Sequence, residues 1–278
     1  MSAEPILDAH DRAVWARWMI VADRHARTGA HRRRVDQARR LVDRCLEEAG
    51  GDAVVMWSAG KDSTVMAHLI TAATDARLPL VSEKDDLDYP GEETYVTELA
   101  REWGAPLEIV HPPISPAEWI REHAYQLDVA GDFHSRAAGL SKACFYEVVE
   151  AANREREAIF LGLRSAESPG RTRNRRFNGL LYRRSPAGVR EPGQLVCTPL
   201  GDWEGIDVYA YAITHGIELL PVYRCVGFMH AREPWRVRKS WWIPGGSSAM
   251  GGVAWLRRYW PTLYRQLREW IPLAQSYA

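Results

Sequence analysis

The residues best equipped for chemistry are Ser58-Ala59-Gly60-Lys61-Asp62-Ser63, a turn of small side chains with two hydroxyls, one ammonium and one carboxylate. A tight turn from a strand into a helix leaves backbone N–H groups at the positive end of the helix dipole, and such groups bind phosphate. Gly60 lets an anion approach the main chain, Ser58 and Ser63 add hydroxyl donors, and Lys61 adds a mobile positive charge. The G-x-x-x-x-G-K-[ST] spacing is absent, and Asp62 beside a polyphosphate calls for a metal or a capping role. An ordinary turn with a helix N-cap is the plain alternative. A second set, Gly162-Leu163-Arg164-Ser165-Ala166-Glu167-Ser168 with Arg171 after it, brings forked cations and a carboxylate. Arg164 and Arg171 can grip phosphate or sulfate oxygens, with Glu167 orienting an arginine or a metal-bound water. A surface salt-bridge cluster is the bland reading of the same residues.

Both sets need strands to position them. The apolar run at 53–57 reads as a buried strand and 63–75 as the helix after the turn. Further strands are expected near 78–82, 107–110 and 158–161, with helices at 91–103 and 142–157. Two helices, 10–27 and 35–48, precede the first strand. This alternation implies an α/β fold with a mostly parallel twisted sheet, helices on both faces, right-handed crossovers and extra N-terminal and C-terminal helices. Strand 158–161 then delivers Gly162 and Arg164 to the carboxyl edge of the sheet, where the 58–63 turn also lies. The arginine-rich 164–190 stretch is expected to be a long loop ordered only by an anion. Residues 245–252 read as a flexible linker to one last helix at 253–270, which packs within the chain by default or on a second copy in a homo-oligomer. The expected division is 1–50 as a helical extension, 51–225 as the nucleotide-binding domain and 226–278 as a basic and aromatic segment with a helix.

The turn resembles the PP-loop, Ser-Gly-Gly-Lys-Asp-Ser, of the ATP pyrophosphatase superfamily, with Ala59 the one departure. Asp86-Leu87-Asp88-Tyr89-Pro90-Gly91-Glu92-Glu93-Thr94 is similar to the Asp-Thr-Gly-x-x-(Phe/Tyr)-Pro-Glu-Thr segment of the phosphoadenosine phosphosulfate reductase family, with a changed interior. The 162–171 stretch matches that family's Gly-x-Arg-x-x-Glu-Ser-x-x-Arg motif. Thr198-Pro199-Leu200-Gly201-Asp202-Trp203 and Asp207-Val208-Tyr209-Ala210-Tyr211 resemble its later Pro-(Leu/Ile)-x-x-Trp and Asp-Val-Trp-x-Tyr pattern. These stretches keep the family's order over roughly residues 50–225, and the family also includes the small subunit of ATP sulfurylase and sulfurtransferase-like proteins of DNA phosphorothioation.

The resemblance implies an adenine nucleotide alpha hydrolase-like fold that binds ATP or an adenosine phosphosulfate. Ser58, Ala59, Gly60, Lys61, Asp62, Ser63, Asp86, Asp88, Gly162, Arg164, Glu167, Ser168 and Arg171 would contact the nucleotide. Lys61 and Arg164 would be catalytic, stabilising charge that grows on phosphoryl or sulfuryl oxygens. Asp62 and Asp86 are the candidate magnesium ligands if the substrate is ATP. Family members either act at the α-phosphate of ATP, releasing pyrophosphate, or reduce a sulfonucleotide with a cysteine in a C-terminal Glu-Cys-Gly segment. No cysteine follows Cys225 here, which favours adenylation, and the reductase activity requires Cys225 or another internal thiol instead.

Composition is consistent with this without selecting it. The chain has 278 residues, 46% hydrophobic and 26% charged, with a formal net charge of zero, so it has no global basic excess for long nucleic acid. There is no apolar stretch of membrane-spanning length and no signal-like N-terminus, which reads as cytoplasmic with no membrane partner. Cys45, Cys144, Cys197 and Cys225 are far apart, so neither a zinc knuckle nor an iron-sulfur cluster is expected. Isolated cysteines of this kind are by default buried small hydrophobes, and Cys225 is the one that lies beside cationic groups able to lower a thiol pKa, which alone does not make it reactive. His111, His134 and His215 fall in loops without a metal motif. Local charge offers a third class of function, a DNA- or RNA-docking module without turnover. It would use Arg173, Arg175 and Arg176 together with the 232–242 segment, where Arg232, Arg236, Arg238 and Lys239 interleave with Trp235, Trp241 and Trp242. Arg24, Arg27, Arg32, Arg33 and Arg34 read as a solvated helix edge.

Overall fold

The computed structural model describes residues 4–118, 122, 155–184, 193–226, 237 and 252–270. Every residue of β1 (Ala53–Met56) is buried, as an apolar strand covered on both sides must be. It sits inside a six-stranded sheet with β2 (Leu80–Glu83), β3 (Leu107–Val110), β4 (Ala158–Leu161), β5 (Leu181–Arg184) and β6 (Gln194–Cys197), in the order β3-β2-β1-β4-β6-β5. All neighbouring pairs are parallel except β5 with β6, where Leu181 faces Cys197. Side chains alternate across the sheet: Val55, Leu80, Phe160 and Cys197 join the large core, while Val54, Met56, Val81, Ile159 and Val196 form a smaller cluster.

The large core also contains Val65, Met66, Leu69 and Ile70 of α3 (Lys61–Ala73), and α4 (Glu92–Trp103) adds Val96 and Ala100. The N-terminal helices α1 (Ala9–Ala26) and α2 (Gly29–Glu48) contribute Ala22, Ala38 and Val42 to the same core. Trp15 of α1 meets Tyr209 of α6 (Gly205–Thr214) edge-on at 5.7 Å.

Two expected elements differ in the structure. The arginine-rich stretch is ordered through much of its length: a 3-10 turn (Ser165–Glu167), helix α5 (Pro169–Asn178) and then β5. Ser168 caps α5 through the Arg171 N–H at 3.2 Å, and Pro169 opens it without a lost hydrogen bond, which local signals outweigh the loop-like composition. The expected C-terminal helix is two, α7 (Gly252–Tyr259) and α8 (Pro261–Trp270), because Pro261 starts a new helix more readily than it continues one. The expected helix at 142–157 lies outside the described residues apart from 155–157, which are not helical. The 245–251 linker, Cys144, His134, Arg190 and the 232–242 cluster apart from Val237 are also outside them.

Candidate nucleotide-binding site

The strand order reverses direction at β1, and β1 and β4 lie side by side with Met56 opposite Leu161. Open α/β sheets bind ligands in the crevice beyond two such strand ends. The 58–63 turn leaves β1 there, and the 162–164 segment leaves β4. Gly162 is required by this proximity: a Cβ on it would stand 2.6 Å from Ser63 Cα and 2.8 Å from Ser63 N.

Within the turn, Ala59 adopts a left-handed φ of +56°. Trp57 Nε1 donates to Thr64 Oγ1 at 3.0 Å, Ser63 Oγ donates to the Gly60 carbonyl at 3.0 Å, and Ser58 Oγ lies 3.1 Å from Ser63 Oγ. Gly60 is the residue before α3 and has no side chain to cap it. The backbone N–H groups of Asp62 and Ser63 meet no acceptor among the described residues, so two amides at the positive helix end are available to an anion.

Beside these amides runs a chain of alternating charge. Lys61 Nζ and Arg164 Nε hold the two oxygens of Asp62, at 2.8 and 2.5 Å. Arg164 continues to Glu167 at 3.9 Å, and Glu167 pairs with Arg171. Among the described residues this chain sets three cations against two carboxylates, a positive balance that suits a phosphate chain. Lys61, Arg164 and Asp62 are buried. Burial alone would raise the Asp62 carboxyl, but the Lys61 and Arg164 charges outweigh it and hold the group below its ordinary range.

The structure therefore brings together Ser58 through Ser63, Gly162, Arg164, Glu167 and Arg171. Ser168 is next to them, with its hydroxyl engaged as the cap of α5. Asp88 belongs to a neighbouring group in which Lys84 reaches Glu92 at 2.5 Å and Asp88 at 3.5 Å. Asp86 bonds Ser115 Oγ and the Ala117 N–H. Magnesium demands oxygen donors in a near-octahedral array. Asp62 presents both oxygens to cations and Asp86 spends its own on a neighbouring segment, so this pair does not fit a magnesium site.

One participant carries no signal in the local sequence. Tyr223, in the 3-10 turn Pro221–Arg224, accepts the Lys61 N–H on its hydroxyl at 2.8 Å, and its ring lies 5.4 Å from Lys61 Nζ. The hydroxyl is also 3.5 Å from the Cβ position of Gly60, so it stands at the mouth of the turn.

Cys225 takes the buried, hydrophobic role expected of an isolated cysteine, and the cationic residues nearby do not activate it. Cys225 is fully buried, and burial pushes its thiol up, with Asp11 and Glu4 acting in the same direction and outweighing Arg224. Cys45 and Cys197 are buried too. The expected solvated arginine edge is corrected at Arg34, which pairs with the buried Asp207 at 2.7 Å. His111 contacts the Lys84 carbonyl and His215 stacks on Tyr211, both away from the turn's amides in their partners. On α5, Arg175 grips Asp202 through two 2.8 Å contacts, while Arg173 and Arg176 are exposed. Among the described residues no helix is long and apolar enough to cross a membrane.

Comparisons with known proteins give the chain a family and a fold. The family described as phosphoadenosine phosphosulfate reductase domain matches residues 52–229. A phosphoadenosine 5'-phosphosulfate reductase of Yersinia pseudotuberculosis is 25% identical over 215 residues, covering 76% of this chain and 80% of that protein. One from Serratia proteamaculans is 25% identical over 207 residues, covering 71% and 78%. Among solved structures, FMN adenylyltransferase of Candida glabrata is similar in fold, with a TM-score of 0.50, 13% identity and coverage of 78% of this chain and 69% of that one.

Proposed function

The chain belongs to the phosphoadenosine phosphosulfate reductase domain family, and from that premise we propose that it binds ATP through the 58–63 turn and acts at the α-phosphate. An acceptor oxygen attacks the α-phosphorus, the bond to the β-phosphate bridging oxygen breaks, and pyrophosphate leaves as the adenylate forms. The Asp62 and Ser63 amides, Lys61 and Arg164 stabilise the negative charge that accumulates on the phosphoryl oxygens. Asp62 serves as the organiser of the two cations. Magnesium enters with the nucleotide as the magnesium-ATP complex rather than on Asp62 and Asp86.

The observation that carries this reading over its rival is the burial of the Cys225 thiol. Reduction of a sulfonucleotide requires a thiolate that reaches the sulfur. The name of the curated relatives favours that second reading, in which an internal thiol attacks the sulfuryl group. Docking of DNA or RNA on exposed Arg173 and Arg176 is a third reading that uses neither the turn nor a thiol.

Incubation with α-labelled ATP, magnesium and candidate acceptors should yield AMP or an adenylate together with pyrophosphate, and Lys61→Ala should abolish it. Release of ADP and phosphate alone would sink the adenylation reading. Thioredoxin-dependent sulfite release from a sulfonucleotide, lost in Cys225→Ser, would establish the second reading in its place. Salt-sensitive nucleic-acid retention lost in Arg173→Ala with Arg176→Ala, and kept in Lys61→Ala, would establish the third.

A further inference from the structure

The nucleotide reading leaves one group of metal-ligating side chains unused. Thr28 joins α1 to α2: its hydroxyl donates to the His25 carbonyl at 2.8 Å and accepts the His31 N–H at 3.2 Å. This capped turn brings the His25 and His31 rings together across the helical hairpin, with centroids 5.5 Å apart and planes tilted by 58°. Asp207, in the first turn of α6, is pinned from the other side. Its Oδ2 accepts the Glu204 N–H at 2.8 Å and Arg34 Nη1 at 2.7 Å. Oδ1 is thereby directed to the two imidazoles, 2.7 Å from His25 Nε2 and 3.1 Å from His31 Nδ1.

The three ligand atoms lie within 4.8 Å of one another. Imidazole nitrogens and carboxylate oxygens bind zinc at about 2.0–2.2 Å, which sets neighbouring ligand atoms about 3.2–3.5 Å apart in a tetrahedral array. Oδ1 already lies 2.7 and 3.1 Å from the two nitrogens, close to that spacing. Two neutral imidazoles and one carboxylate suit a borderline first-row metal and not magnesium. Arg34 and the Glu204 N–H supply the outer-shell contacts that fix a ligating carboxylate. Trp203 meets the His31 ring edge-on at 5.9 Å, and Asp207 and His31 are buried. The His25 side chain, 20% exposed, leaves an entry path and room for a water ligand.

We propose that His25, His31 and Asp207 form a site for a zinc-like divalent transition metal that fastens the N-terminal helical hairpin to α6. The same distances also serve a metal-free clamp in which both rings donate to Asp207, and the two arrangements respond differently to glutamine. A glutamine at position 25 keeps a hydrogen-bond donor for the carboxylate but supplies no imidazole.

The full chain, stripped with a chelator and titrated with zinc by calorimetry, is expected to take up one ion. Cobalt(II) in its place should give the visible absorption of a nitrogen- and oxygen-ligated ion. His25→Gln and His31→Ala should each weaken zinc binding by more than the roughly 10–100-fold that loss of an outer-shell partner costs, with Arg34→Ala inside that range. Lys61→Ala, which removes turnover under the nucleotide reading, should leave zinc binding in place, so the two proposals fail separately. Absence of stoichiometric binding by the unaltered chain, which needs no variant to fold, overturns the metal site. Full binding by His25→Gln overturns it equally, and the cluster is then a hydrogen-bonded clamp.

Discussion

Ala59 holds a φ of +56° in the 58–63 turn. That conformation costs an L-residue about 1–2 kcal/mol. Ala59→Gly removes the strain but adds about 0.5–1 kcal/mol of chain entropy and gives up a buried methyl, so urea titration should find a net change within about 1 kcal/mol. Ala59→Val places a β-branched residue in the same region and should cost about 2 kcal/mol or more. Tyr223 makes a different prediction. Removing its hydroxyl in Tyr223→Phe takes away this hydrogen bond to the Lys61 N–H, at a cost of about 0.5–1.5 kcal/mol. A bound phosphate can restore that partner, so added ATP should raise the melting temperature more in the variant than in the unaltered chain. An equal or smaller rise would show that the hydroxyl is no neighbour of the phosphates. The turn was legible in sequence because its chemistry is local, with hydroxyls, ammonium and glycine within six residues. Tyr223 was not, since it reaches the turn across a separation of 162 residues. Between the two readings open for Cys225 the local sequence could not choose: Arg224 is adjacent in sequence, but burial dominates the thiol in the fold.

At the scale of elements, the site depends on how closely the β4 exit passes the start of α3. Gly162→Ala drives a methyl group to 2.6 Å from the Ser63 backbone, which is main chain and cannot rotate away. The two loops must separate, costing about 1–3 kcal/mol as overpacking does. Turnover should fall more steeply than stability, and a variant with unaltered turnover would show that the loops need not meet. The strands at 53–56 and 158–161 were readable because buried parallel strands are continuous apolar runs, and β3 at 107–110 showed as a short apolar run interrupted only by the exposed Glu108. Helix α5 was hidden by composition, with Arg, Asn and Gly outweighing its real start signal, Ser168 followed by Pro169. Pro261 likewise marked the boundary between α7 and α8 in a stretch whose apolar periodicity read as one helix.

Across the whole molecule, the two ends of the described chain fasten to each other. Tyr259 donates to the buried Asp11 at 2.7 Å, Arg258 pairs with Asp8 at 2.5 Å, and the Ile6 N–H bonds the Tyr259 carbonyl at 2.9 Å. The apolar faces of α1 and α7 were evident in sequence, but their pairing follows only from the topology that brings both to one core. This arrangement of buried groups also sets the response to acid. His68, packed against Tyr211, His215 and Trp103, is lowered from 6.5 to about 4, chiefly by burial, with the charges of His215 and Arg39 adding to it. His215 is lowered as well, again chiefly by burial. As pH falls from 6.5 towards 4, the unfolded chain takes up a proton on His68 that the folded chain refuses, so stability declines over that interval. The carboxylates behave in the opposite sense. Asp62 and Asp207 are held below 3.8 in the fold, so their contribution is present above that value and is lost only as pH drops through their lowered folded values. Melting temperature against pH should therefore fall in two stages, a histidine stage above a carboxylate stage. His68→Gln can still reach the Tyr211 hydroxyl, yet it cannot titrate, so it should flatten the upper stage and leave the lower one in place. An upper stage as steep in His68→Gln as in the unaltered chain would assign the acid sensitivity to other groups.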